Sequence, residues 1–184
     1  MFAHIPNFVY FAPTTKEEYE QMFKYATSQK NHPVGIRVLP AFEKTGVKDD
    51  TDYSVLTNKV EKQGEGVAIV AFGPLLNMAK KVAEEIEKAT GKSITVINPR
   101  FVSGIDDNLL TSLISNHKAV ITIEDGEVMG GYGQNIASFY GNTSMKVINH
   151  GISRKFHTDY NPDQLLADHG MSVEKLVAEV KDLL

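Results

Sequence analysis

Six consecutive apolar residues, Val67-Ala68-Ile69-Val70-Ala71-Phe72, run without interruption into Gly73-Pro74. A strand with one wet face alternates apolar and polar side chains. An unbroken apolar run instead needs cover on both faces, which is the condition of a strand inside a parallel sheet. The following residues supply that cover. Pro74 suits the first helical position, and Leu75, Met78, Ala79, Val82, Ala83 and Ile86 then recur on one helical face. Gly91 stands where a left-handed residue would end this helix. The alternation repeats through a strand at Ile94-Thr95-Val96-Ile97, a helix opened by Asp106, and a strand at Ala119-Val120-Ile121-Thr122-Ile123. A glycine-rich turn then leads to a helix through Ile136 and Phe139, followed by a strand at Lys146-Val147-Ile148. Two helices, opened by Asn161-Pro162 and by Ser172, complete the pattern. Residues 66–184 therefore read as an α/β domain: an open, mostly parallel sheet with helices on both faces.

The front of the chain is built differently. A strand over residues 5–13, a helix introduced by the capping-box pair Thr15 and Glu18, and a strand over residues 32–38 make one partial βαβ unit. Two strands cannot cover a sheet on both sides. Residues 1–45 are thus expected to be the terminal piece of a domain whose body lies upstream. Such a piece should pack poorly by itself, swap between chains or be held by a partner. Residues 46–65 mix charges and glycines around Tyr53-Ser54-Val55-Leu56 and read as a linker with room for a short edge strand.

Composition removes several classes of function. With no cysteine there is no disulfide, thiolate metal site or cysteine nucleophile. A net charge of −4, with lysines and arginines dispersed, argues against nucleic acid as a partner. No apolar stretch approaches the roughly 20 residues of a membrane span, so no membrane partner is expected and a cytoplasmic location is the natural reading.

Few side chains are candidates for chemistry. Gly130-Gly131-Tyr132-Gly133 opens a helix and could cradle phosphate, but the dinucleotide fingerprint lacks its third glycine, where Ile136 stands. A tight turn that brings the helix close to a neighbouring backbone is the better reading. Glu124, Asp125 and Glu127 follow a strand at its ligand-bearing end and read as a solvated loop, with metal or acid–base work as the alternative. The histidines, His4, His32, His117, His150, His157 and His169, show no metal-ligand spacing and suit surface or interface roles. His150 and His157 flank Arg154 and Lys155, a loop that could meet an anion. Arg37 is the sharpest candidate. It closes a strand, and its planar fork matches the oxygens of a phosphate, although a surface ion pair is the commoner role at such a position.

Eight segments in order resemble one known family: Ile5-Pro6-Asn7-Phe8-Val9-Tyr10, Ala12-Pro13-Thr14, Glu17-Glu18-Tyr19, His32-Pro33-Val34-Gly35-Ile36-Arg37, the strand at 67–73, Val96-Ile97-Asn98-Pro99-Arg100-Phe101-Val102, Thr122-Ile123-Glu124-Asp125-Gly126 and Gly130-Gly131-Tyr132-Gly133. Together they are similar to the C-terminal third of the 1-deoxy-D-xylulose-5-phosphate synthases, thiamine-diphosphate enzymes of the transketolase superfamily. The resemblance implies that residues 1–45 end a pyrimidine-binding domain and residues 66–184 form a transketolase C-terminal domain. It implies a reaction joining pyruvate to glyceraldehyde 3-phosphate with loss of CO₂, a homodimeric full-length enzyme, and thiamine diphosphate and Mg²⁺ held by the missing N-terminal domains. No cofactor, metal or catalytic residue is expected on this segment, which should be inactive alone. Arg37 alone carries over, as a ligand of the substrate phosphate. Val38-Leu39-Pro40-Ala41 follows it where the family often has Tyr-Pro-Arg-Gly, so a second arginine is absent there. Alternatives are a non-catalytic dimerisation module or split-enzyme subunit, and the C-terminal region of a 2-oxoacid dehydrogenase E1 β chain.

Overall fold

The computed structural model describes residues 5–184, so His4 lies outside the described residues. Strand β4 (Gly66–Ala71) is the centre of the main sheet. It pairs in parallel with β5 (Thr95–Asn98) on one side and with β6 (His117–Glu127) on the other. Beyond β6 lies β7 (Lys146–Ile152), also parallel. The far edge is β3 (Lys59–Lys62), antiparallel to β5, so the sheet order is β3-β5-β4-β6-β7. The edge strand of the 46–65 segment thus lies C-terminal to the apolar patch at 53–56.

The apolar run of β4 is covered on both faces. Val67, Ile69 and Ala71 pack with helices α2 (Leu75–Thr90) and α6 (Val173–Leu183). Ala68 and Val70, with Phe72 just beyond, pack with α3 (Asp107–Leu113) and α4 (Tyr132–Tyr140). The period of two in a strand divides one run of sequence between two cores. Gly91 ends α2 with φ 70°, as its position demanded, and Asp106 caps α3 by accepting from the Leu109 N–H at 3.0 Å.

The front unit contains β1 (Val9–Phe11), α1 (Lys16–Ser28) and β2 (Val34–Ile36), with β1 and β2 parallel. Both strands are shorter than expected. The unit does not pack poorly, because segments distant in sequence complete it. Val9, Phe11 and Met22 share a third core with Tyr53, from the segment read as a linker, and with Phe101, from the loop after β5. Residues 100–102 pass antiparallel beside β1: the Ala12 N–H donates to Arg100 O at 2.7 Å and the Val102 N–H to Tyr10 O at 2.9 Å. Tyr53 meets Phe11 edge-on with centroids 5.3 Å apart. Counting strands from sequence missed this, since neither covering segment has a strand-like pattern.

One histidine departs from the surface role expected of it. His117 is buried, with Nε2 2.8 Å from the Thr95 hydroxyl and Nδ1 2.8 Å from Asn116 Oδ1. Thr95 in turn accepts from the Gly64 N–H and donates to Gly64 O, tying the edge strand to the sheet. A short helix, α5 (Pro162–Asp168), packs near β7. No helix among the described residues is long and apolar enough to cross a membrane.

Two measurements check this packing. Phe101→Ala should cost about 3–5 kcal/mol in urea unfolding, because it empties the third core at its fully buried seam. Burial holds the His117 pKa below its ordinary 6.5, opposed by a backbone hydrogen bond, so the unfolded chain takes the proton first. Stability is therefore full above about pH 6.5 and falls as pH drops through the folded-state value. The urea midpoint of His117→Gln should decline less steeply over that window than that of the parent chain.

Candidate functional site

In the main sheet the chain moves from β4 to one neighbour, β5, and later to the other, β6. A crevice therefore opens beyond the carboxyl ends of β4 and β6, the place where open α/β sheets bind ligands. The front unit is seated at this end of the sheet. The Gly73 N–H, just past β4, donates to the Thr14 hydroxyl at 3.2 Å. Buried Glu18 accepts from the Thr14 N–H at 2.8 Å and from the Asn98 side-chain amide, at the end of β5, at 3.0 Å. The capping-box glutamate thus also joins the two sheets.

Arg37 extends from the end of β2 into the crevice. Nη1 donates to Asp125 Oδ1 at 2.7 Å and Nη2 to Asp125 Oδ2 at 2.5 Å, a two-bond fork. Its guanidinium carbon lies 5.8 Å from the centre of the Phe72 ring, and its backbone N–H donates to Phe11 O at 2.9 Å. Burial disfavours the Arg37 charge, but hydrogen bonding and attraction to Asp125 outweigh it and hold the pKa above its ordinary value. A cavity of about 260 Å³ lies beside the pair, lined by Tyr10, Phe72, Glu124 and Tyr132 among others. The side chains remain partly open to solvent, at 29% for Arg37 and 24% for Asp125.

The three clustered acids have different environments. Glu127 is exposed and Asp125 is bound to Arg37. Glu124, expected in a solvated loop, is only 4% exposed and accepts from the N–H groups of Tyr132 and Gly133, each at 2.7 Å. Helix α4 therefore receives an internal carboxylate at its N-terminus, where its dipole and free N–H groups favour negative charge. Burial raises the Glu124 pKa, against the two backbone hydrogen bonds that lower it. The close approach explains the glycines: a Cβ at Gly133 would stand 2.3 Å from the Thr122 hydroxyl and one at Gly131 2.7 Å from Glu127 O. The tight-turn reading was right in kind, but the sequence did not reveal the carboxylate inside the turn.

Arg100 had no role in the sequence reading beyond its place in Asn98-Pro99-Arg100-Phe101. Its backbone is left-handed, with φ 63°. The side chain is 11% exposed; its buried Nε has no hydrogen-bond partner, and Glu18 Oε1 is 3.7 Å away. A cavity of about 550 Å³ adjoins it, bordered by Lys48, Asp49, Lys59 and Thr51 among others. Arg37 and Arg100 flank β1 but line separate cavities. A polar pattern ending a strand, Asn-Pro-Arg, was the available signal.

The histidine loop does not converge on one point. His150 pairs with Glu179 of α6 at 2.7 Å, while His169 bonds Ser153 at 2.9 Å and stands ring to ring with His157 at 5.6 Å. Among the described residues, no three His, Asp or Glu side chains are grouped to hold a metal ion.

A family model described as the transketolase C-terminal domain matches residues 57–176. This chain belongs to that family. Curated relatives named 1-deoxy-D-xylulose-5-phosphate synthase align over nearly all of it. The protein of Nitrosospira multiformis is 32% identical over 96% of this chain, and that of Lysinibacillus sphaericus 31% over 98%. The chain spans only 28–29% of the length of these relatives. A solved structure described as a split-gene transketolase, inactive β4 tetramer, superposes with a TM-score of 0.84 at 26% identity, covering all of this chain and 59% of that one. The family match thus runs from just before β3 to the start of α6, and the Arg37–Asp125 pair joins it to the front unit.

Replacing Glu124 by Gln would turn an amide N–H toward one of the two backbone donors. The expected loss is about 1–3 kcal/mol in urea unfolding. Glu127→Gln, on the exposed acid, should stay within about 0.5 kcal/mol.

Proposed function

We propose that this chain supplies the C-terminal part of a thiamine-diphosphate-dependent synthase. The full enzyme would condense pyruvate with glyceraldehyde 3-phosphate, release CO₂ and yield 1-deoxy-D-xylulose 5-phosphate, a precursor of isoprenoids, thiamine and pyridoxal. The observation that carries the reading is alignment with the synthases over 96–98% of the chain at about 30% identity. When bound, the cofactor supplies the carbanion chemistry of such enzymes. Its Mg²⁺ and diphosphate do not fit the residues described: no group of metal donors is present among them, and the N-terminus of α4 is taken by Glu124. The reading places both groups on other domains, with a homodimeric, cytoplasmic enzyme as the working assembly.

The contribution of this chain is then recognition and fit. Arg37 is our candidate ligand for the aldehyde phosphate, held in the crevice by its backbone bond to Phe11 and backed by Phe72. Arg100, bordering the neighbouring cavity, offers a second guanidinium to an anion. The same resemblance supports a second reading, a split-enzyme subunit, because the matching solved structure is itself a split-gene β chain described as inactive.

The test is reconstitution. Purified chain given pyruvate, glyceraldehyde 3-phosphate, thiamine diphosphate and Mg²⁺ should make no product and show no cofactor binding by calorimetry. Adding a polypeptide with the preceding domains of the synthase should restore turnover. In the restored enzyme, Arg37→Met should raise KM for the aldehyde about tenfold, the loss of roughly one charged hydrogen bond, and leave KM for pyruvate unchanged. Turnover, or micromolar binding of thiamine diphosphate, by the chain alone would overturn the reading.

A further inference from the structure

We propose that Asp125 is the resident anion of the Arg37 fork, and that a phosphate group binds there by displacing it, so that Asp125 sets the affinity of the site. This rests on the role proposed for Arg37 and adds to it an internal competitor.

A carboxylate and a phosphate offer a guanidinium the same edge of two oxygens. Asp125 already occupies both terminal nitrogens of Arg37, at 2.7 and 2.5 Å. The two anions therefore exclude one another on that edge.

Arg37 is fixed from behind by the hydrogen bond from its backbone to Phe11 and by the Phe72 ring. Asp125 is held less firmly. The register between β6 and β7 shifts between Ile123 and Glu127, so Asp125 sits in an irregularity of the ladder. Next to it, Gly126 has open space where a Cβ would be. Glu124, by contrast, is pinned by α4. Rotation of the partly exposed Asp125 side chain can thus free the fork without disturbing the buried carboxylate before it.

With Asp125 in place, Glu124, Asp125 and Glu127 line the same cavity of about 260 Å³ as Arg37. A free phosphate is opposed there until Asp125 withdraws from the fork. Partial exposure of both partners screens their attraction and keeps the exchange accessible.

Inorganic phosphate and glycerol 3-phosphate are titrated separately into the 184-residue chain, with amide and side-chain carboxylate signals followed by NMR. If Asp125 holds the fork about nine-tenths of the time, removing it should tighten phosphate binding about tenfold. Asp125→Asn and Asp125→Ser should both show this gain, and Arg37→Met should abolish binding. In the unaltered chain, phosphate should move the Asp125 carboxylate and Gly126 amide signals, a readout that needs no variant. Tighter binding of glycerol 3-phosphate than of inorganic phosphate would assign the site to an ester; equal binding would assign it to the phosphate group alone, and either supports the competition. Unchanged or weaker binding in both Asp125 variants, with binding lost in Arg37→Met, overturns the competition and leaves the Arg37 reading standing. Undiminished binding in Arg37→Met overturns the Arg37 reading as well, as does failure of both probes to bind any form of the chain.

Discussion

A carboxylate can be buried only where fixed hydrogen-bond donors replace the water it loses. Two buried glutamates in this chain meet that condition, and much of the remaining architecture follows from them. Glu18 takes N–H groups from its own helix cap and an amide from Asn98 at the end of β5, which fixes the front unit on the main sheet. Glu124 takes two N–H groups from the start of α4, which fixes that helix against β6 and β7. Glycine is required at 131 and 133 because the carboxylate and the Thr122 and Asn149 side chains occupy the volume a Cβ would need. Both anchors lie at the carboxyl ends of the strands, so the end of the sheet that usually holds ligands is here held by the protein's own polar groups.

This arrangement has chemical consequences. The crevice between β4 and β6 is spanned by the front unit, which brings Arg37 to Asp125 across 88 positions of sequence. The cost of partly burying the guanidinium is offset by its partner. Arg100 is its counterpart in the neighbouring cavity, a more enclosed cation without a hydrogen bond at Nε. The chain therefore presents one satisfied guanidinium and one incompletely satisfied, on opposite sides of β1. Two guanidiniums thus border neighbouring cavities at this end of the sheet.

Much of the fold was legible beforehand. The apolar run at 67–72, the left-handed glycine at 91 and the caps at Thr15, Asp106, Asn161 and Ser172 each state a local requirement that the structure meets. The errors share one cause. Tyr53 and Phe101 complete a core, His117 is buried and Glu124 is buried, each through partners remote in sequence that leave no periodic trace. Arg37 was recognisable as a fork at a strand end, and Asp125 as an acid at another; their meeting was not.

What the sequence determined by itself is the alternation of strands and helices, because hydrophobic period and capping chemistry act over a few residues at a time. Tertiary structure decided which polar groups are buried, which glycines are indispensable and which anion the Arg37 fork holds. Those outcomes depend on desolvation and on distances between segments far apart along the chain, and both are properties of the packed molecule alone.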